Sequence, residues 1–358
     1  MLRMLTALWL LTILAGCTFS DKKQNVASFG EQINLTGKVL IPADSLLDPW
    51  MILTIDSSLI VANAKGQPVL DFYALDGRKV RTLLKRGLES GEVGMIGTLQ
   101  PNYAAHCVYS YDLFRRTILQ ISVDSVLRQK NYLPAVIEDS ATIHESLGSY
   151  EKMYPYRYGI LGESRVNDGR FFILKKGGER RIRYYRSYPH KVDASLSDLE
   201  NARLYSMGIA LNPENTKVAA VTYSAGMMDL FGIDSVGLDS VWSYRDFLPD
   251  NLRRISRYDG SSSIAFTSRS KYGYFDVAGT DKWVYAIYSG SEVTGASHPC
   301  SNIIRVTSWD GSRRYQLVTD KQINRISVSR DDSNIYALGT NFMGAPEVYV
   351  FNIKDVLN

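Results

Sequence analysis

The chain reads as an all-β protein, a six-bladed β-propeller with seven blades as the alternative, and three observations carry that reading. Aromatic residues are abundant, with 23 tyrosines and 12 phenylalanines, and such side chains favour pleated, half-buried strands. A hairpin recurs along the chain as IDSSLIVAN, LNPENTKVAAVTYS, VAGTDKWVYAIYSG and VSRDDSNIYALGTN. Each copy is a polar turn followed by a strand with few charges. The last repeat ends after three strands, whereas an N-terminal strand has no repeat of its own.

Taken in order, the first element is an export signal. Arg3 precedes the apolar stretch 5–14, which is too short to span a bilayer. It runs into Leu14-Ala15-Gly16-Cys17, a match to the bacterial lipobox. Residues 1–16 are therefore expected to be a lipoprotein signal peptide and Cys17 the lipidated residue. Residues 17–28, CTFSDKKQNVAS, are polar and aperiodic, as a flexible tether would be. Residues 29–358 are expected to form a single propeller domain. The expected location is the bacterial cell envelope, lipid-anchored at the outer membrane. The face stays open, although one acid and two lysines in TFSDKK lean toward the periplasm.

The clearest repeat spans residues 51–84, where Met51 to Ile55, Leu59 to Asn63, Val69 to Leu75 and Val80 to Leu84 are separated by turn residues. Asp76-Gly77 is a strong hairpin signal. A lone four-stranded meander has two exposed faces and no core, so repetition is required. Units are placed at about 51–95, 96–133, 150–190, 204–247, 262–319 and 323–354. In the last of these, Arg325 to Ser329, Asn334 to Leu338 and Glu347 to Asn352 leave the outer strand missing. INLTGKVLI, residues 33–41, is predicted to supply it, since closing the ring hides an open edge.

The segment DFYALDGRKVRTLLKRGLESGEVG resembles the blade-and-loop pattern of NHL-type propellers, and ISVSRDDSNIYALGTN with EVYVFN resembles the closing repeat of TolB-like six-bladed propellers. Together with the motif at Cys17, nearly all of the mature chain resembles the TolB-like propeller lipoproteins of the Bacteroides type. Those motifs mark a fold. The resemblance implies a binding or scaffold role.

Electrostatics exclude little but do argue against nucleic acid. Loss of Arg3 with the leader lowers the formal net charge by one, from +4 to +3, and no basic arm is present. Cys107 and Cys300 fall on non-neighbouring blades and are expected to be two thiols. His106-Cys107 and His298-x-Cys300 carry zinc-type donors but lie too far apart in sequence for a compact site, so no metal and no cofactor is expected. A hydrolase would need an activated nucleophile, and no Gly-x-Ser-x-Gly elbow occurs. Gly177-Gly178 is a turn without a phosphate-loop pattern. No catalytic residue is assigned. A lactonase-like propeller hydrolase acting on envelope or dietary polymers remains the alternative.

Two residue patterns remain as candidates. Asp-Ser-apolar triplets place Ser45, Ser125, Ser140, Ser235 and Ser240 as O-glycosylation acceptors, against the plainer reading that Asp-Ser is turn chemistry. Loops predicted to share one rim carry Arg86, Arg115, Arg116, Arg180, Arg181, Arg253 and Arg254, with Tyr154 and Tyr156 nearby. Guanidinium groups bind carboxylates and sulfates in a bidentate manner, so this rim suits an anionic glycan or an acidic envelope partner. The plainer reading has these arginines solvated or paired with Glu89, Glu179 and Asp250. The expected partners are thus the membrane, through the lipid, and an unknown glycan, peptide or envelope protein, bound by a monomer.

Overall fold

The structure, a computed structural model, describes residues 29–357 apart from 31, 90, 139–151, 167–168, 177–181, 190–191, 194, 257–261 and 294–298. The leader, Cys17 and the tether therefore lie outside the described residues.

Four antiparallel four-stranded sheets form blades one to four. Blade one contains Pro49–Ile55, Ser58–Asn63, Leu70–Ala74 and Lys79–Leu83. Blade two contains Ile96–Asn102, Cys107–Asp112, Thr117–Ser122 and Ala135–Glu138. Blade three contains Met153–Tyr156, Gly159–Val166, Gly169–Lys175 and Ile182–Tyr185. Blade four contains Met207–Leu211, Lys217–Thr222, Met227–Ile233 and Leu238–Arg245.

The remaining eight-stranded sheet is two blades fused through one strand. Arg314–Val328 pairs with Ser301–Ser308 over its first half and with Asn334–Thr340 over its second. Blade five is thus Tyr274–Gly279, Trp283–Tyr288, Ser301–Ser308 and the first half of that strand. Blade six is its second half, Asn334–Thr340, Pro346–Asn352 and the N-terminal strand Lys38–Ile41. The blade count follows from packing as well. Six apolar clusters each join one consecutive pair of blades, and the cluster of Ile41, Ile52, Leu59, Val61, Tyr336 and Val348 joins the sixth back to the first. Alternating apolar residues on both faces of every blade produce this ring, because each sheet is covered only by its neighbours.

The N-terminal segment departs from its predicted role in one respect. Lys38–Ile41 pairs antiparallel with Pro346–Asn352 and completes the last blade, as predicted. Gln32–Leu35, in contrast, runs parallel to residues 316–319 and extends blade five. Thr36-Gly37 separates the two, and the Gly37 N–H donates to Asp320 Oδ1 (2.8 Å). A Cβ at Gly37 would lie 2.5 Å from the Phe351 ring, so only glycine fits that crossing. The Asp76-Gly77 turn forms as the sequence predicts, with Gly77 at φ 88°. Its Cα faces the passing Leu40 carbonyl.

Blade five also starts later than predicted. Residues 262–266 pair with Leu252–Ser256 in a separate hairpin, and the blade begins at Tyr274. Cys107 is buried in blade two and Cys300 is half-buried ahead of the third strand of blade five, as two free thiols. No described helix is long and apolar enough to cross a membrane.

Candidate functional site

Strand direction assigns every loop to one of two rims. Each innermost strand starts on the rim where blades connect, here the upper rim, and ends on the rim of the first hairpins. The links between second and third strands also open upward, and those between third and fourth open downward.

Three of the upper-rim arginines, Arg86, Arg115 and Arg254, are engaged by their own protein. Arg86 donates to the carbonyls of Asn63 (2.8 Å), Gly66 (3.3 Å) and Gly94 (2.5 Å), which staples the link between blades one and two. Arg115 donates to the carbonyls of Glu89 (3.0 Å) and Glu92 (2.9 Å). Their partners are main-chain oxygens, so the expectation of free or acid-paired guanidiniums is corrected for both. Arg254 donates to the Ser195 carbonyl (2.7 Å) and hydroxyl (3.1 Å). Arg116 occupies a left-handed turn position (φ 54°), and Arg253 is exposed on the extra hairpin.

Among the described residues, Tyr154 and Tyr156 are not part of that rim. Arg180 and Arg181 lie outside the described residues, and the strands that flank them, Gly169–Lys175 and Ile182–Tyr185, are the third and fourth of their blade. Lys175, at the end of the third strand, lies on the lower rim, where its Nζ donates to the Ser235 carbonyl (2.6 Å). Tyr156 is buried at the lower end of its strand, with its hydroxyl 3.5 Å from the Asp234 carbonyl. Tyr154 is buried beside the central channel.

Of the serines, Ser45, Ser235 and Ser240 are exposed. Asp234 Oδ1 accepts the N–H groups of Val236 (2.7 Å) and Gly237 (3.0 Å), which is the plain turn role. The Ser125 N–H is held by Ser122 Oγ (3.3 Å) at the start of a short helix, and Ser140 lies outside the described residues. His298 is outside them too. His106 Nδ1 sits 3.0 Å from Asp56 on the lower rim, and that hydrogen bond raises the imidazole above its ordinary value.

A prominent concave feature among the described residues is the channel itself. A cavity of about 550 Å³ is bounded by the innermost strands of all six blades, a volume within the ~300–1,000 Å³ of small-molecule sites. Met51, Leu99, Ala210 and Ala278 contribute apolar wall. Near the lower mouth, Tyr103 lies under the Arg330 guanidinium (5.1 Å to the ring centre). Burial pushes the Tyr103 hydroxyl up to about 12. Arg330 is in turn paired with Asp281 (3.0 Å).

The upper end is charged. Lys152 Nζ donates to the Met207 carbonyl and the Tyr223 hydroxyl (2.9 Å), and stands 3.5 Å from Glu163 Oε2. Burial alone would lower this ammonium, but Tyr223 and Glu163 outweigh it and raise it. Asp276 lies deep in the ring yet keeps part of its surface open to the channel. Its Oδ2 accepts the Ile326 N–H (2.8 Å). Burial raises its carboxyl, an effect that Arg325 and the main-chain donors reduce. Arg325 donates through Nε to the Trp50 carbonyl (3.0 Å).

Sequence reasoning missed Lys152, Tyr223, Asp276 and Arg325. A signal was present for two of them: Lys152 directly precedes an innermost strand, and Asp276 lies early in another among otherwise apolar residues; Arg325 sits beside Asn324 and Ser327 and does not stand out.

With this geometry, comparison with known proteins is informative. Residues 28–331 match the family described as TolB-like 6-blade propeller-like. The chain belongs to that family. This TolB-like propeller is also similar in fold to a protein of Bacteroides fragilis assigned to the exported class, at 12% identity and a TM-score of 0.52, covering 90% of this chain and 99% of that one. It is similar as well to a member of the DUF4221 family from Bacteroides vulgatus, at 8% identity and a TM-score of 0.54, covering 85% and 92%. At such identities the likeness concerns the fold alone. Comparison with curated proteins found no match. The TolB-like assignment agrees with the six blades counted from the packing clusters.

Proposed function

We propose that this TolB-like propeller is a cell-envelope lipoprotein that binds a small ligand in its central channel without transforming it. The observation that carries the binding role is the channel: a cavity of about 550 Å³ framed by all six blades, with charge at one end and apolar wall below. A rigid ring of strands holds such a cavity in shape without a ligand, which lowers the ordering cost of binding. The upper-rim arginines support this choice over rim recognition, because Arg86 and Arg115 already donate to main-chain carbonyls. An anionic glycan or an envelope partner at Arg253 is the secondary reading, since that guanidinium is exposed.

Native mass spectrometry of the protein purified from its own cell tests the channel reading. A co-purifying small molecule is expected with the natural chain and is expected to be lost in Leu99→Trp, which fills the wall, and in Met95→Trp, which narrows the mouth. Retention of the same mass by both folded variants would place the ligand elsewhere.

The envelope part rests on the Leu14-Ala15-Gly16-Cys17 motif. Cys17→Ala is expected to leave the propeller folded while blocking lipid attachment and leader removal. Metabolic labelling with an alkyne fatty acid checks this, and label retained on the variant refutes it. Ser45, Ser235 and Ser240 are the accessible candidates for O-glycosylation.

A further inference from the structure

The upper ring of the channel contains two opposite charges that make no direct ion pair among the described residues. Asp276 and Arg325 stand on the innermost strands of adjacent blades five and six. Asp276 takes the Ile326 N–H (2.8 Å) in place of a guanidinium. Arg325 directs Nε at the Trp50 carbonyl (3.0 Å) and one terminal nitrogen at the carbonyls of Phe275 (3.4 Å) and Asn324 (2.7 Å). Among the described residues the second terminal nitrogen of Arg325 has no partner, and a carboxylate offers about four acceptor sites, more than Asp276 uses. Lys152 differs, because Glu163 lies 3.5 Å from its ammonium and compensates it.

Two opposite charges that are not joined in an ion pair select by exclusion as well as attraction. A simple anion placed at Arg325 would also meet the Asp276 carboxylate, and a simple cation placed at Asp276 would meet the guanidinium. Like charges brought together across a site are strongly disfavoured. A molecule with both charges satisfies both groups, and each contact is a charge-assisted hydrogen bond. Below the charged ring the wall is apolar along Met51, Leu99, Ala210 and Ala278. We infer that the channel takes a zwitterion of the amino-acid type, with its ammonium toward Asp276, its carboxylate toward Arg325 and an apolar side chain directed down the channel. This rests on the channel being the binding site.

Isothermal titration of the full-length protein in detergent micelles with L-leucine and L-leucyl-L-leucine tests it, the two probes differing in charge separation. N-acetyl-L-leucine lacks the ammonium, L-leucinamide lacks the carboxylate, and the dipeptide is blocked in the same two ways. At least one zwitterion is expected to bind, and each of its blocked forms to bind at least tenfold more weakly. The near-isosteric Asp276→Asn is expected to weaken the zwitterion tenfold or more and to strengthen the N-acetyl form, whose carboxylate then meets no like charge. Arg325→Lys, which keeps the charge, is expected to weaken the zwitterion and spare the amide. Circular dichroism confirms that each variant is folded. Equal binding of blocked and free forms, indifference to Asp276→Asn, or no binding of either zwitterion overturns the inference. If a co-purified molecule is still displaced by Leu99→Trp in that case, the channel reading stands and only the zwitterion fails.

Discussion

Deletion of residues 29–41 is expected to abolish cooperative folding of the propeller. The segment buries Phe29, Leu35 and Ile41, which are 6%, 7% and 0% exposed. Burial of such a side chain contributes roughly 1.5–3 kcal/mol, so the three together approach the ~5–15 kcal/mol that separates a typical domain from its unfolded state. Phe29 also packs edge-on against Tyr244 (5.2 Å) and under the buried Arg305 (4.8 Å), tying blades four and five together. The deletion further strips the outer edges at residues 316–319 and 348–350, leaving strands open to intermolecular pairing. Calorimetry is expected to show no sharp transition, and light scattering to show aggregates. An unchanged melting curve would mean that the ring closes by other contacts. Ile41→Ala, a milder test of the same clasp, is expected to cost about 2–5 kcal/mol.

Asp229→Ala is expected to be the most damaging single substitution, with a loss of about 3–5 kcal/mol. Asp229 joins blades three and four by accepting from Arg170 (2.7 Å), Arg245 (2.5 Å) and the Ser243 hydroxyl (2.7 Å). The Arg170 side chain is 3% exposed, so removal of the carboxylate strands a guanidinium in the interior. Arg245→Ala is expected to do less harm, because that side chain is 30% exposed and Asp229 keeps Arg170. The pH dependence has a definite sign. Burial alone would raise the Asp229 carboxyl, but Arg170 and then Arg245 overturn that and hold it below 3.8. Its contribution is therefore fully present above the unfolded value and is lost as pH falls through the lower folded value. Denaturant titrations at pH 7 and pH 3 are expected to show the variant's deficit shrinking at the acid end. A deficit equal at both would assign the effect to packing.

The blades were legible because their signals are local. Asp76-Gly77 fixes a turn by backbone geometry, and hairpins such as VSRDDSNIYALGTN repeat a strand-turn-strand pattern whatever surrounds them. The errors fall where a neighbour decides. Residues 320–322 fall between two predicted units, yet the strand runs on through them to Val328 because both flanking sheets pair with it. Leu252–Ser256 carries two arginines and gives no apolar alternation, so its hairpin with residues 262–266 was unreadable. The arginines misled for a related reason: the acceptors of Arg86 and Arg115 are carbonyls, which every residue has and which no sequence pattern marks. Lys152, Asp276 and Arg325 are separated by 124 and 49 positions, and only closure of the ring brings them to one mouth.

The parallel pairing of Gln32–Leu35 with residues 316–319 has a mechanical consequence. A pull on Phe29, directed away along the strand, acts on all four residue pairs at once, from Gln32 opposite Gln316 to Leu35 opposite Thr319. This is shear, in which the pairs must fail together; peeling an antiparallel hairpin breaks them one after another. Lys38–Ile41 lies directly behind as a second grip on Pro346–Asn352. Resistance to such loading is set by the unfolding barrier rather than by equilibrium stability. A domain hauled by its own N-terminus is thus held at the point where its ring is clasped, and tension arriving there meets its stiffest geometry first.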